Sequence, residues 1–241
     1  MSLAGQKQTA RILDRKESSM TDTVIFDLDG TLLDTLEDLT DSVNYAMKTF
    51  GFPVHTIDEV RTFVGNGAPK LLERSIPQGL ENPDYEAVLA AFKAHYAEHC
   101  EDKTRPYEGV PEMLAALKEQ GFHFAIVSNK FDGAVKKLCQ KYFGEFISVS
   151  IGESAEVKRK PAPDTVYRAL HELGCDALQA VYVGDSEVDI QTAKNASLPC
   201  ISVTWGFRTE EKLRSEGAQE AMLIKAPQEL VPLLARLRAE G

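Results

Sequence analysis

Two aspartates, Asp27 and Asp29, stand at the end of the apolar run VIF (24–26), and Gly30 and Thr31 follow them. In extended backbone, residues two apart face the same side of a strand. Two close carboxylates repel unless a cation or a proton comes between them. Other apolar runs end on similar chemistry. FHFAIV (122–127) leads to Ser128 and Asn129, and AVYVG (180–184) leads to Asp185, Ser186, Glu187 and Asp189. FISVSI (146–151) leads to a polar loop that closes on Lys160, Pro161, Ala162, Pro163 and Asp164. Asp27, Asp29, Asp185 and Asp189, with no histidine or cysteine beside them, suit a hard cation, Mg2+ before Ca2+ or Zn2+. Gly30 and Thr31 suit an anion cradle, because glycine lets backbone N–H groups come close. Thr31 and Ser128 offer hydroxyls and Lys160 a point charge. A lone aspartate after a strand is more readily a helix cap or a turn former, and a lone lysine in VKRK (157–160) is ordinary surface. Their recurrence at successive strand ends reverses that reading. Lys160 differs from Lys158 and Arg159 in preceding Pro161, whose ring restricts the backbone before it.

These groups meet only if the fold carries them to one edge. After residue 104, helical patterns at 110–120, 132–142, 162–173, 186–196 and 227–239 alternate with the apolar runs and with PCISVTW (199–205) and AMLI (221–224). Short strands alternating with helices indicate βαβ units and a parallel sheet. Apolar runs without polar alternation fit strands covered on both faces. In such a sheet, ligands bind beyond the carboxyl ends of the strands. Residues 36–103 differ. Leu36, Leu39, Val43, Ala46, Met47 and Phe50 recur at helical spacing, and further helical patterns cover 57–64, 68–76 and 84–99. Thr35 is expected to cap the first of these helices and Gly51 to end it. The expected fold is α/β: a doubly wound parallel-sheet core (20–35 and 104–241) with a small inserted α-helical cap domain (36–103). Residues 1–19 read as a flexible leader.

The whole chain of 241 residues carries 27 Lys and Arg against 37 Asp and Glu, a net charge of −10. That balance argues against nucleic acid and anionic membrane as main partners. Cys100, Cys139, Cys175 and Cys200 form no CxxC pair and no zinc pattern, which suits reduced thiols. No run approaches the roughly 18–20 apolar residues of a membrane helix, and the N-terminus has no signal-type apolar segment. The expectation is a cytoplasmic protein, monomer or homodimer, that receives a small molecule. His95 and His99 lie four apart on a helical pattern without a third ligand in view.

DLDGT (27–31), SN (128–129), KPAPD (160–164) and GDSEVD (184–189) together resemble the motifs of the haloacid dehalogenase superfamily, over residues 20–241. The resemblance implies a Rossmann-like core and a Mg2+-dependent phosphatase that works through an aspartyl-phosphate. It implies that Asp27 is the nucleophile and Asp29 the general acid and base. It implies a metal held by the Asp27 carboxylate, the Asp29 carbonyl and Asp185, with Asp189 direct or through water. Thr31, Ser128 and Lys160 would hold the phosphoryl group, and Asn129 would line the pocket. Dehalogenases of the superfamily have no acid at the position of Asp29, since halide leaves unprotonated; an ester needs one. EVRTFVGNGAPKLLERSI (59–76), DGTLLDTLEDLTDSVNYAM (29–47) and WGF (205–207) resemble phosphoglycolate phosphatases. On that resemblance Gly65, Asn66 and Gly67 form a turn facing the substrate, and Arg61 and Lys70 are candidates to meet its carboxylate. Trp205 reads as a core or interface residue. The implied substrate is a small phosphorylated metabolite, 2-phosphoglycolate first. The alternatives are a pyrophosphatase or a broad sugar or nucleotide phosphatase, then a β-phosphoglucomutase-type isomerase. A phosphate-binding regulator is disfavoured because Asp27, Asp29 and Lys160 are all present.

Overall fold

The apolar run that ends at Asp27 is strand β1 (Thr23–Phe26), buried along its whole length. In the computed structural model, which describes residues 21–240, a short strand β2 (Leu33–Asp34) follows. Next come helices α1 (Leu36–Thr49), α2 (Ile57–Phe63), α3 (Gly67–Ser75) and α4 (Tyr85–His99). Strand β3 (Arg105–Pro106) returns to pair antiparallel with β2. The chain then alternates through α5 (Val110–Glu119), β4 (His123–Phe131), α6 (Asp132–Phe143), β5 (Val149–Glu153) and α7 (Asp164–Leu173). It ends with β6 (Ala180–Gly184), α8 (Glu187–Asn195), β7 (Cys200–Val203), α9 (Glu210–Ser215), β8 (Leu223–Ile224) and α10 (Leu230–Glu240). The leader expected over residues 1–19 lies outside the described residues.

Six strands form one parallel sheet in the order β5-β4-β1-β6-β7-β8. The order changes direction at β1, the kind of switch point where open α/β sheets bind ligands. Phe26 is in register with Ile126 on one side and Val183 on the other. Asp27, Ser128 and Asp185 therefore emerge together at one edge. Alternate side chains of β1 point to opposite faces. Val24 and Phe26 join Leu114 of α5, Leu138 of α6 and Leu234 of α10, while Ile25 joins Val166 of α7 and Ala193 of α8. Both faces are covered, which is why the strands read as unbroken apolar runs.

The first of these clusters continues through Leu39, Val43 and Met47 of α1, Leu72 of α3, and Val88, Phe92 and Tyr96 of α4. The helical block thus packs its apolar faces over the sheet edge that carries the aspartates. Three features differ from the sequence expectation. Thr35 makes no side-chain cap for α1; its hydroxyl donates to Asp29 Oδ1 at 2.7 Å. Strand β4 runs on to Phe131, and its pairing with β5 shifts between Val127 and Phe131. Ser128, Asn129 and Lys130 sit inside that irregular stretch, not after the strand. The β2–β3 pair and α9 were not expected, because elements so short hold no readable period. All four cysteines are free thiols, and no described helix is long and apolar enough to cross a membrane.

Candidate active site

Asp27 leaves β1 buried at the sheet edge. Its Oδ1 accepts from the Leu28 N–H at 2.7 Å and from the Lys160 ammonium at 2.9 Å. Lys160 comes from the loop before α7 and is 3% exposed. Asn129 holds it in place: the Lys160 N–H donates to Asn129 Oδ1 at 2.7 Å, and Asn129 Nδ2 donates to the Lys160 carbonyl at 3.0 Å. The ammonium also donates to Asp189 Oδ1 at 2.8 Å and to the Tyr182 hydroxyl at 3.0 Å. Tyr182 in turn donates to Asp189 Oδ1 at 2.9 Å, and Asp189 Oδ2 accepts from the backbone and hydroxyl of Ser186. Both oxygens of Asp189 are thus committed. Asp185 ends β6, and its Oδ2 accepts from the Phe207 N–H at 2.7 Å. The backbone of Gly30 passes so close that an added Cβ would lie 2.4 Å from Asp185 Oδ2. With φ at +83° as well, only glycine fits there.

Asp27, Asp185 and Asp189 each offer an oxygen within 4.8 Å of the others, and all three are buried. Burial, and then the charge of Asp189, push Asp27 well above the usual carboxylate range despite Lys160. The same two causes push Asp185 to about 7. Three buried carboxylates beside a single ammonium carry excess negative charge. An all-oxygen donor set with that excess fits a hard divalent cation.

Asp29 turns its side chain away from this cluster. Its Oδ1 accepts from Thr35 and, at 2.8 Å, from the ammonium of Lys130; its Oδ2 accepts from Ser128 at 3.4 Å. Lys130 was missed in the sequence. Its side chain is only 4% exposed, and its Nζ donates to the hydroxyl of Tyr96 on α4 at 2.6 Å. Burial alone would lower its pKa, but the charge of Asp29 and the Tyr96 hydroxyl outweigh that, so it stays an ammonium. A signal was present: a lysine inside the run HFAIVSNKF, where unpaired lysine is almost never buried.

Asp27, Asp29, Ser128, Lys130, Lys160 and Asp185 line one cleft of about 60 Å³. Gly65 and Gly67 face it from the helical block, with Phe92 and Tyr96. Other expected residues lie elsewhere. Asn66 directs its amide oxygen outward to Arg74 at 2.9 Å and is not part of the cleft wall. Thr31 lies beneath the cleft, its hydroxyl 3.4 Å from Asp185 Oδ1, so it supports that carboxylate. Asn129 lines the cleft but spends its amide on Lys160 and on the Gly65 carbonyl at 3.2 Å. Arg61 is exposed beside Asp58, and Lys70 pairs with Glu73; neither reaches the cleft. Trp205 is partly buried, and its indole N–H donates to the Thr31 carbonyl at 3.0 Å. His95 stacks between Tyr45 and His99, and among the described residues no three-ligand group includes it.

The sequence profile of the haloacid dehalogenase-like hydrolases matches residues 24–203. The chain belongs to that family. A phosphoglycolate phosphatase of Pseudomonas syringae pv. tomato is 33% identical over 223 residues, covering 90% of this chain and 81% of that protein. An N-acetylmuramic acid 6-phosphate phosphatase of Pseudomonas aeruginosa is 31% identical over 216 residues, covering 88% and 94%. The crystal structure of a candidate phosphoglycolate phosphatase from Lactobacillus delbrueckii subsp. bulgaricus superposes with a TM-score of 0.84. It is 33% identical and covers 89% of this chain and 98% of that one. Within the haloacid dehalogenase-like hydrolases, this chain is a phosphatase of the phosphoglycolate phosphatase-like group.

Arg208 adds to the links from the core to the helical block that Asn129 and Lys130 make with Gly65 and Tyr96. Arg208, after β7, grips Glu187 through Nε and Nη2 at 2.8 and 3.2 Å. The same guanidinium donates to the carbonyls of Arg61 at 3.0 Å and Val64 at 2.7 Å, where α2 ends. Hydrogen bonds to charged groups contribute roughly 1.5–3 kcal/mol each, and those of Arg208 are partly buried or exposed, which sets the lower end of that range. Arg208→Ala is expected to lower the unfolding free energy by about 2 kcal/mol, checked by urea denaturation.

Proposed function

We propose that this chain is a Mg2+-dependent phosphomonoesterase that works through an aspartyl-phosphate on Asp27 and takes 2-phosphoglycolate as its substrate. The observation that carries the substrate choice is the likeness, at 33% identity over 90% of this chain, to a phosphoglycolate phosphatase, beside a cleft that holds a second buried ammonium, Lys130, on the side of Asp29.

Asp27 attacks phosphorus, and the bond to the leaving oxygen breaks with its electron pair. Asp29 gives that oxygen a proton, and the alcohol departs. Water then attacks the phosphorus of the acyl phosphate, Asp29 takes its proton, and the bond to Asp27 breaks to release phosphate. Splitting the transfer in two lowers each barrier, and Asp29 serves one step as acid and the other as base. Lys160, already 2.9 Å from Asp27, neutralises the oxygens of the transferring group. The Ser128 hydroxyl holds one of those oxygens. The carboxylates of Asp27 and Asp185 and the carbonyl of Asp29 would hold Mg2+. Asp189 acts behind them, through Lys160 and water, because its own oxygens are committed. When bound, the ion supplies charge neutralisation and in-line orientation of the phosphoryl group. Residues 36–103 serve as the cap that closes over residues 20–35 and 104–241.

A panel of phosphorylated metabolites tests this reading. kcat/KM is expected to be highest for 2-phosphoglycolate, against pyrophosphate, nucleoside monophosphates, hexose phosphates and N-acetylmuramic acid 6-phosphate. A lead of about tenfold for any of the others, roughly 1.4 kcal/mol of transition-state binding, overturns the substrate assignment. Isomerised sugar phosphate without release of phosphate overturns the hydrolase reading.

A further inference from the structure

The proposed chemistry leaves one buried cation of the cleft without a task. Lys160 serves the phosphoryl end, and its three donors meet Asp27, Asp189 and Tyr182. Arg208 spends its guanidinium on Glu187 and on two carbonyls of the helical block. Arg61 and Lys70 face away. Lys130 is different. Its ammonium has three donors, of which Asp29 and Tyr96 take two, and it lines the cleft on the side of Asp29. Asp29 marks the leaving-group end of the substrate, because it is the residue that meets the departing oxygen.

Resting on the phosphomonoesterase reading above, we propose that Lys130 is the specificity-determining cation of this site, binding an anionic group on the leaving alcohol. The substrate class it selects is a phosphate monoester with a carboxylate one carbon from the ester oxygen. Two elements hold the ammonium on station, Asp29 from the core and Tyr96 from α4 of the helical block. The Tyr96 ring lies under it at 4.6 Å. A carboxylate arriving there completes the third hydrogen bond and finds a positive charge that water reaches poorly. A neutral alcohol of the same size leaves that donor unpaired in a buried place. Sites built to hydrogen-bond one substrate group discriminate strongly against analogues that lack it, and charge-assisted bonds are the strong ones.

The test compares 2-phosphoglycolate with ethyl phosphate, an analogue of the same chain length without the carboxylate, using the full-length enzyme with Mg2+. Wild type is expected to favour 2-phosphoglycolate by about 100-fold or more in kcat/KM. Lys130→Met is expected to cut that ratio by about 30-fold or more, whatever happens to the two rates in common. A ratio that stays within about threefold of wild type overturns the proposal, because a residue that only positions Asp29 moves both substrates equally. The ratio is also insensitive to the fraction of enzyme folded. If Lys130→Met gives no soluble protein, Tyr96→Phe is read the same way. A KM for 2-phosphoglycolate raised about threefold or more, with that for ethyl phosphate unmoved, supports the proposal. Equal change in both, or none, overturns it. Wild type hydrolysing both substrates equally defeats this proposal alone. Wild type hydrolysing neither defeats the phosphomonoesterase reading on which it rests.

Discussion

Asp27→Asn is expected to lose turnover by on the order of 10⁴-fold or more, about 5 kcal/mol of barrier, while the protein remains folded. The amide keeps the shape of the carboxylate and can still accept from the Leu28 N–H, so the strand end is held. What it lacks is the charge that makes the oxygen a nucleophile. Lys160 loses one partner but keeps Asp189 and Tyr182. The substitution also removes a carboxylate that burial and Asp189 already disfavour. Metal-free Asp27→Asn is therefore expected to melt at or above the temperature of metal-free wild type. Phosphate release and thermal denaturation, measured on one preparation, check both halves. Turnover within about tenfold of wild type removes Asp27 as nucleophile.

Chelation by EDTA is expected to silence the enzyme and added Mg2+ to restore it, with a stability signature that depends on pH. Burial and the charge of Asp189 push Asp185 up to about 7 in the fold, from an ordinary 3.8, and raise Asp27 in the same direction. Between those values the folded state holds protons that the unfolded state has lost. Stability of the metal-free protein therefore falls as pH rises through this window, and the full cost of the buried charges stands above it. Mg2+ relieves that cost and competes with protons for the same oxygens. At about 100 times its Kd, the ion adds about 2.7 kcal/mol, or about 5–10 °C in Tm for a chain of this size. The Mg2+-induced shift in Tm is expected to be larger at about pH 8 than at about pH 6. A shift that is larger at the lower pH would mean that Asp27 and Asp185 are not the metal's ligands.

Much of this site was legible in the amino-acid sequence. Asp27, Ser128, Lys160 and Asp185 each come after an apolar run, and parallel strands deliver the residues at their carboxyl ends to the same edge. Strand order and register bring Asp27, Ser128 and Asp185 to that edge, and Lys160 reaches it from the loop before α7. The helical block was legible for a similar reason: Leu36, Leu39, Val43 and Met47 repeat at helical spacing, which a strand cannot use. Roles were less legible than places. Thr31 and Asn129 stand where the motifs put them, yet their polar groups serve Asp185, Lys160 and Gly65. Which partner a hydroxyl or an amide takes depends on distances of tenths of an ångström, and spacing along the chain does not contain them.

What the sequence by itself determined was the parallel α/β core, the inserted helices and the carboxylates at the sheet edge. These come from hydrophobic period and strand-end position, both properties of short stretches. Only the tertiary structure decided which cations face the cleft. Arg61 and Lys70 are excluded because α2 and α3 present them to solvent or to Glu73. Lys130 is included because β4 continues past the expected end and α4 lays Tyr96 against it. A buried ammonium is stable only where partners from separate elements converge on it. That convergence is a property of packing across α4, β4 and the end of β1, so no single segment of the chain records it.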